Sequence, residues 1–325
     1  MTTEKVLPIV TTTMLTTGQK IRENTVIREL GGGNFGIVYE VKNEEYGSPI
    51  ALKVCRDGAP KEEIDRFKQE NTILHRLHTP LHCEQIILPL SVNEEESPFF
   101  YYLMELAQGN LDAHIKENYN QTPSELISTF RKICTGVKHA HQLDVVHRDL
   151  WWNNVLVFDG DEQQVKLCDF GRAKDHNLEP LDYLDRPCVG HRYVRPPELF
   201  FEITDGTNIG LSKKTDHYAL GILLSFLFNG TPIIHYSQLV GDIGTYMQQN
   251  SFSTNGKTYT EREQFYSKWL ETRRNLDYSN LHVSLVDYQL TQEINKIIEK
   301  LCDIDHSRRY NSIEELEADL DKLNI

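Results

Sequence analysis

The chain has 325 residues, of which 39% are hydrophobic and 25% charged, with a formal net charge of −14. That length supports a real core in one large domain or two medium ones, and the composition is that of an ordinary soluble globular protein. The acidic balance argues against nucleic acid or an anionic membrane as partners, because both select basic surfaces.

Residues 1 to about 22 include the threonine-rich stretch "TTTMLTTGQ", which has no sustained period and reads as a flexible arm. From Thr25 to about Met104 the pattern predicts strands with one helix. The strands are "TVIREL", "GIVYEV", "PIALKVC", "IILPLSV" and "FFYYLME", and the helix is "EEIDRFKQENTILHRLH". From Leu106 onward helices dominate. "SELISTFRKICTGVKHAH" is amphipathic, "HYALGILLSFLF" is apolar all round and so buried, and "QEINKIIEKLC" and "SIEELEADLDKL" close the chain. Two short strands, "NVLVF" and "QVKLCDF", interrupt the helical part, and the region from about Gly241 to Tyr288 is long and polar with no assigned role. The longest apolar run, Tyr218 to Phe228, is about half the ~20 residues a membrane span needs. The N-terminus lacks the layout of a signal peptide. Six scattered cysteines (55, 83, 134, 168, 188, 302) show neither zinc nor disulfide spacing. The expected location is cytoplasmic. The expected architecture is α+β: a β-rich lobe with one helix, then a larger helical lobe, joined near residue 105.

Four constellations carry chemistry. In "LGGGNFGIVYEV", Gly31, Gly33 and Gly36 fit G-x-G-x-x-G, with Val38 two residues on. Such glycines let a turn approach phosphates and aim N–H groups at them. Strand-like residues follow the motif, unlike the helix of a dinucleotide fingerprint; the plain alternative is a glycine-rich hairpin. In "PIALKVC", alternation puts Ile50, Leu52 and Val54 on one face and Ala51, Lys53 and Cys55 on the other. A flat ring on Ala51 with Lys53 reaching a phosphate suits that face; a snorkelling surface lysine is the alternative. In the following helix Glu70 shares a stripe with Ile64, Phe67, Leu74 and Leu77. A carboxylate on an apolar face needs a partner, and Lys53 is the candidate. Finally "HRDLWWNNVLV" and "LCDFGRAK" bring Asp149, Asn154 and Asp169 to strand ends, where oxygen-bearing side chains suit a Mg²⁺–phosphate site, although each is also a common turn residue.

In this order the motifs resemble those of the eukaryotic-type protein kinases, over nearly the whole chain from about Thr25. Three later segments agree: "RPPEL" at 195–199 is similar to A-P-E, "DHYALG" at 216–221 to D-x-W-x-L-G, and "DIDHSRRY" to the segment whose arginine, here Arg309, pairs with Glu198. Taken singly, these three segments also read as a turn, a helix N-cap at Asp216 and a surface arginine. The resemblance implies a two-lobed kinase fold over 23–325, with an N-lobe of about 23–104, a hinge of about 105–108 and a C-lobe of about 109–325. It implies ATP and Mg²⁺ as cofactors and a protein as substrate. Lys53, held by Glu70, would grip the α- and β-phosphates under the loop of Gly31, Gly33 and Gly36. Asp149 would take the acceptor proton, and Asn154 and Asp169 would hold Mg²⁺. Val38, Ala51 and Leu156 would enclose the adenine, Met104 would be the gatekeeper, and the backbone of Glu105 and Ala107 would bond the ring.

The chain departs from the family pattern on the acceptor side. Ser/Thr kinases carry a lysine two residues after the catalytic Asp, where this chain has Trp151, and a threonine before A-P-E, where a gap-free count gives His191. Either His191 supplies the missing positive group, or Trp151 stacks on it, or Trp151 only packs under the activation segment. The segment 172–195 contains no serine or threonine. Asp175, Glu179, Asp182 or Asp185 could therefore pair with Arg148, with Tyr183 as an alternative switch, which implies a kinase active as synthesised. The resulting expectation is a protein kinase acting on hydroxyl side chains, Ser/Thr before Tyr. The rivals are a pseudokinase scaffold and a kinase-like phosphotransferase acting on a small molecule.

Overall fold

The structure is a computed structural model and describes residues 14–33, 36–92, 94–96, 99–118, 120–158, 164–178, 190–203, 209–231, 233–273 and 277–325. The chain forms two compact units: one reaches to His78 and adds Leu88–Leu106, and the other comprises Thr79–Ile87 and Ala107–Ile325. No helix among the described residues is long and apolar enough to cross a membrane.

The first unit is an antiparallel sheet with one helix. Its elements are β1 (Lys20–Ile21), β2 (Asn24–Gly33), β3 (Gly36–Asn43), β4 (Ile50–Val54), α1 (Lys61–Leu77), β5 (Glu94–Glu96) and β6 (Phe99–Met104). The strand order is β1-β2-β3-β4-β6-β5. Ile50, Leu52 and Val54 join Val26, Ile37, Tyr39, Val41, Tyr101 and Leu103 in one core, which leaves Ala51 and Lys53 on the opposite face of β4. Helix α1 carries Glu62 and Glu63 in its first turn and His75 and Arg76 in its last, the charge order the helix dipole favours.

Two expectations are corrected here. The arm does not extend to residue 22. Leu15 and Ile21 are buried in the sheet core, β1 pairs with β2, and the Leu15 N–H donates to the Tyr39 hydroxyl at 3.2 Å. Two isolated apolar residues give no period, but a sheet edge offers them both pairing and burial. Residues 1–13 lie outside the described residues. The run "IILPLSV" forms no strand among the described residues; Ile86 and Pro89 make only isolated bridges, to Leu167 and Met104. The run is divided between the two units. The Ile87 N–H donates to the Leu167 carbonyl (2.9 Å) and the Leu90 N–H to the Leu103 carbonyl (2.8 Å), while Pro89 has no N–H to continue a ladder.

The second unit is mainly helical. It contains β7 (Gly109–Asn110), α2 (Leu111–Glu117), α3 (Pro123–Gln142), β8 (Val145–Val146), β9 (Val155–Phe158), β10 (Gln164–Leu167), β11 (Lys174–Asp175), α4 (Pro197–Phe200), α5 (Ile209–Asn229), α6 (Ile233–Gln249), α7 (Tyr259–Thr272), α8 (Tyr288–Leu301) and α9 (Ile313–Leu320). Strands β10, β9 and β7 make a small sheet, and β11 pairs with β8. Helix α3 starts at a capping box of Thr122 and Glu125 with Pro123 in its first turn, and α5 buries Tyr218 through Leu227. The polar stretch without an assigned role forms the second half of α6, then α7 and the chain leading to α8. These helices pack Tyr266 and Trp269 against Phe201, and the Trp269 indole N–H donates to Asp242 at 3.0 Å. Among the described residues Cys55, Cys83, Cys134, Cys168 and Cys302 are free thiols.

Glu198 and Arg309 make a two-pronged ion pair at 2.6 and 2.8 Å, with both side chains fully buried. Arg309 also donates to the carbonyls of Asp303 (2.7 Å) and Lys214 (3.0 Å), so it ties α4, α5 and the chain before α9 together. Removing one partner strands a buried charge. Arg309→Met should destabilise the protein by about 3–5 kcal/mol, read from urea unfolding followed by tryptophan fluorescence. A loss below about 1 kcal/mol would refute the assignment of this pair as a structural tie.

Burial also pushes His217 down to about 3 and His235 down to about 4. Both are neutral when folded, and the Tyr218 hydroxyl donates to His235 Nε2 at 3.0 Å. An unfolded histidine titrates near 6.5, so between that pH and about 4 the unfolded chain takes up protons that the folded chain refuses. Stability should hold level above pH 6.5 and fall as the pH drops toward 4, and His235→Gln should flatten the slope. A urea midpoint that does not move between pH 6.5 and 4.5 would contradict this.

Candidate functional site

In the sheet unit the glycine motif closes the β2–β3 hairpin, with Gly33 opposite Gly36 and Gly31 opposite Val38; Asn34 and Phe35 lie outside the described residues. A Cβ on Gly36 would lie 2.5 Å from the Val54 carbonyl, so a side chain there would push the hairpin off β4. Beside Gly31 and Gly33 no described atom lies within 4 Å of such a Cβ, which leaves room for a ligand to approach the backbone. Lys53 sits on β4 opposite Val38 on β3 and Tyr102 on β6, and Ala51 sits opposite Met104. Its ammonium donates to both Glu70 carboxylate oxygens at 2.7 Å, with Lys53 7% and Glu70 1% exposed. The pairing expected from the apolar stripe of α1 is therefore present, and Lys53 is not a surface lysine. The Glu105 N–H donates to the Leu88 carbonyl (3.2 Å), and its carboxylate accepts the Leu88 N–H (2.7 Å).

In the helical unit the loop after β8 is held from below by Asp216. This fully buried carboxylate accepts the His147 N–H and the Arg148 N–H, each at 2.9 Å, and His141 Nε2–H donates to it at 2.9 Å. Burial alone would raise its pKa; the His141 bond and the surrounding donors more than offset this and hold it low. Asp216 lies within α5, so it is not the N-cap of that helix but a brace for the loop before Asp149. With its N–H so fixed, Arg148 takes a left-handed φ of 66°. Its carbonyl lies so close to Gly190 that a Cβ there would stand 2.3 Å from the oxygen, and Gly190 is itself at φ 88°. Only glycine meets both conditions.

Asp149 is 7% exposed. The His191 N–H donates to its Oδ1, and Arg172 Nε lies 3.4 Å from its Oδ2. Burial first, then the neighbouring Asp169 carboxylate, raise its pKa; Arg172, His147 and the His191 N–H work in the opposite sense. Asn154 donates through Nδ2 to the Asp149 carbonyl (2.9 Å), so its amide oxygen Oδ1 is the atom with which it would meet a metal, and its own carbonyl accepts the Cys168 N–H (3.0 Å). That second bond ties Asn154 to the residue before Asp169, which stands at φ 59°. An amide oxygen and a carboxylate are hard donors of the kind Mg²⁺ takes one or two at a time beside phosphates and water, so these residues fit the ion. His147 fixes the loop from the other side. Its Nε2–H donates to the Cys168 carbonyl (3.0 Å), Nδ1 accepts the Asp149 N–H (3.3 Å), and its ring packs on buried Phe170 with centroids 4.4 Å apart. Leu156 lies on β9 opposite Lys166, half-buried, and next to Ala107 the Gln108 N–H donates to the Val157 carbonyl at 3.1 Å.

The two tryptophans have different places. Trp152 is 4% exposed and stacks on Phe226 of α5 at 4.5 Å, so it is core. Trp151 stacks face to face on His191, with centroids 3.7 Å apart and planes within 5°. His191 is pushed down to about 4, by burial first and then by Arg192, Arg195 and Arg172. Its Nδ1 is buried without a hydrogen-bond partner among the described residues, so a charged ring would strand a donor. His191 is neutral and does not supply a positive group, and the stack of Trp151 on it is present. Asp175, one of the acids considered for Arg148, is buried on β11 and accepts the Asn177 N–H at 2.9 Å. Glu179, Asp182, Tyr183 and Asp185 lie outside the described residues. Sequence reasoning assigned no role to Arg172 or Gly190, and read Asp216 as part of a D-x-W-x-L-G-like motif or as a helix N-cap, not as a brace for the loop before Asp149. Asp216 sat in a motif whose partners are 69 and 68 residues away, and Arg172 follows "DFG" with no signal of its own.

The sequence matches the family described as protein kinase domain over residues 24–319. It is 28% identical over 234 residues to mitogen-activated protein kinase spm1 of Schizosaccharomyces pombe, covering 69% of this chain and 53% of that protein. A kinase of the same name from Cytospora mali is 30% identical over 217 residues, covering 64% and 49%. Myosin light chain kinase family member 4 of Homo sapiens is 27% identical over 203 residues, covering 62% and 48%. The chain thus spans about half the length of these curated relatives. The match extends from β2 to the last helix, over the strand that carries Lys53 and the loops that carry Asp149 and Asp169, and the chain belongs to the protein kinase family.

Proposed function

We propose that this kinase transfers the γ-phosphoryl group of ATP to a hydroxyl side chain of a protein, serine or threonine before tyrosine. The observation that carries the reading is the setting of Asp149: a buried carboxylate with Oδ1 held by a backbone N–H and Oδ2 beside a guanidinium, on a loop braced by Asp216. An acid/base fixed in this way suits proton acceptance from an incoming hydroxyl. The acceptor oxygen forms a bond to the γ-phosphorus while the bond to the β–γ bridging oxygen breaks. ADP leaves with that electron pair, and the hydroxyl proton passes to Asp149.

Lys53, immobilised by Glu70, would hold the α- and β-phosphates, and the glycine loop would offer N–H groups to them. Asn154 and Asp169 would hold Mg²⁺, which when bound neutralises charge on the β- and γ-phosphates. Val38, Ala51 and Leu156 would enclose the adenine, with the Glu105 and Ala107 backbone bonding its edge. The names of the kinases matched above support protein hydroxyls as acceptors.

Lys53→Met, Asp149→Asn and Asp169→Asn should each lower turnover by on the order of 10²-fold or more, assayed with labelled ATP, Mg²⁺ and a generic basic protein. Asp169→Asn should also weaken Mg²⁺-dependent nucleotide binding, whereas Asp149→Asn should leave it nearly unchanged. Phospho-amino-acid analysis of the product decides between Ser/Thr and Tyr. A wild type that binds ATP but labels neither protein nor itself is a pseudokinase, and one that labels only small molecules is the other phosphotransferase.

The stack of Trp151 on His191 gives a second test. Trp151→Ala should reduce transfer more than ATP affinity. The double change with His191→Ala should deviate from additivity by about 0.5 kcal/mol or more in log rate, as contacting pairs do. Strict additivity would leave Trp151 as packing alone.

A further inference from the structure

We infer that Arg172 is the cation of the acceptor side, occupying in charge the role left open where the catalytic loop carries Trp151 instead of a basic residue. The inference rests on the function proposed above and names a positioning residue for it.

Three observations converge. Asp149 is 93% withdrawn from solvent by the 7% exposure of its residue, and a buried carboxylate needs a positive partner close by. The residue two places after it is Trp151, whose ring is committed to a stack and carries no charge. The other residue that faces Asp149 from the segment before Glu198 is His191, which offers a backbone N–H while its ring is held neutral in that stack. Among the described residues the cationic side chain in ion-pair range of Asp149 is Arg172, at 3.4 Å from Oδ2 and 21% exposed. Its backbone is fixed by the short turn Phe170–Arg172. Phe170 is 1% exposed against the His147 ring, and the Ala173 N–H closes the turn onto the Phe170 carbonyl at 2.9 Å.

Asp149 is thereby gripped from two directions: a neutral N–H on Oδ1 and a guanidinium on Oδ2. A cation on Oδ2 leaves the carboxylate aimed by its other oxygen and offsets the negative charge that gathers as the acceptor approaches phosphate. It comes from the segment after Asp169, not from the catalytic loop. The substitution of a charged residue by Trp151 therefore need not silence the site, because the charge has moved to another segment.

The test is a charge swap within the full chain. Arg172→Met should lower kcat for phosphate transfer by roughly ten-fold or more, with KM for ATP and Tm close to wild type. Arg172→Lys should retain more activity than Arg172→Met. The double variant Trp151→Lys/Arg172→Met should recover activity relative to Arg172→Met, since it returns a cation to the catalytic loop. A purely structural arginine predicts no such recovery. If Arg172→Met loses its thermal transition, Arg172→Gln takes its place in both comparisons. Wild-type kcat in the neutral variant overturns the inference, as does a loss that neither lysine variant relieves. A wild type that binds ATP yet transfers nothing overturns the proposed function together with it, whereas an active wild type indifferent to Arg172 overturns this inference alone.

Discussion

A single carboxylate, buried 99% from solvent inside α5, sets the position of the loop that carries Asp149: Asp216. Three N–H donors converge on its two oxygens, so it is satisfied as a charge without an exposed partner. Because the His147 and Arg148 N–H groups must both reach it, the backbone has little choice at the next step. Arg148 enters the left-handed region, its carbonyl turns toward Gly190, and Asp149 is delivered to the His191 N–H. Strain at a non-glycine residue of this kind, about 1–3 kcal/mol, persists only where surrounding bonds over-determine it. Here they do.

The same logic recurs in pairs elsewhere. Lys53–Glu70 and Glu198–Arg309 both place opposite charges in nearly water-free surroundings. Buried pairs of this sort gain little net stability over apolar residues of the same volume, because desolvation offsets the attraction. What they give is fixed geometry. Two equal 2.7 Å bonds leave the Lys53 ammonium one place to be, and the four bonds made by Arg309 lock the chain after α8 to α4 and α5. Trp151 and His191 solve a related problem without charge, covering the ground beside Asp149 with flat, neutral surfaces.

Much of this was legible in the residues themselves. Glu70 on an apolar stripe demands a cation, and alternation in β4 puts Lys53 on the face away from the core of Ile50, Leu52 and Val54. Strand-like residues after the glycine motif imply a hairpin, which β2 and β3 make. The failures have physical causes. "IILPLSV" has the apolar content of a strand, but its burial comes from two different neighbours, and pattern cannot see neighbours. Leu15 and Ile21 are too few to give a period. The helices α6 and α7 hid behind polar surface residues, although Thr258 and Glu261 form a capping box whose T-x-x-E signature was there to read. The neutrality of His191 depends on burial and on Arg192, Arg195 and Arg172, which no spacing rule reveals.

The division of the chain has a consequence for the order in which it is made. The stretch Thr79–Ile87 precedes the last strands of the sheet unit in sequence yet belongs to the helical unit. Ile86 and Ile87 are fully buried there, and the Gln85 carbonyl and the Ile87 N–H are both bonded to Leu167. On a ribosome, the sheet unit has all its segments once Leu106 has emerged, but those two isoleucines must wait a further ~60 residues for β10. During synthesis the nascent chain therefore carries, at the end of this nine-residue stretch, two isoleucines whose shelter has not been built. For the same reason neither unit is a continuous stretch of chain. A cut at residue 106 would leave the helical part without the segment that covers β10, so no single break in the sequence divides the chain into these two units.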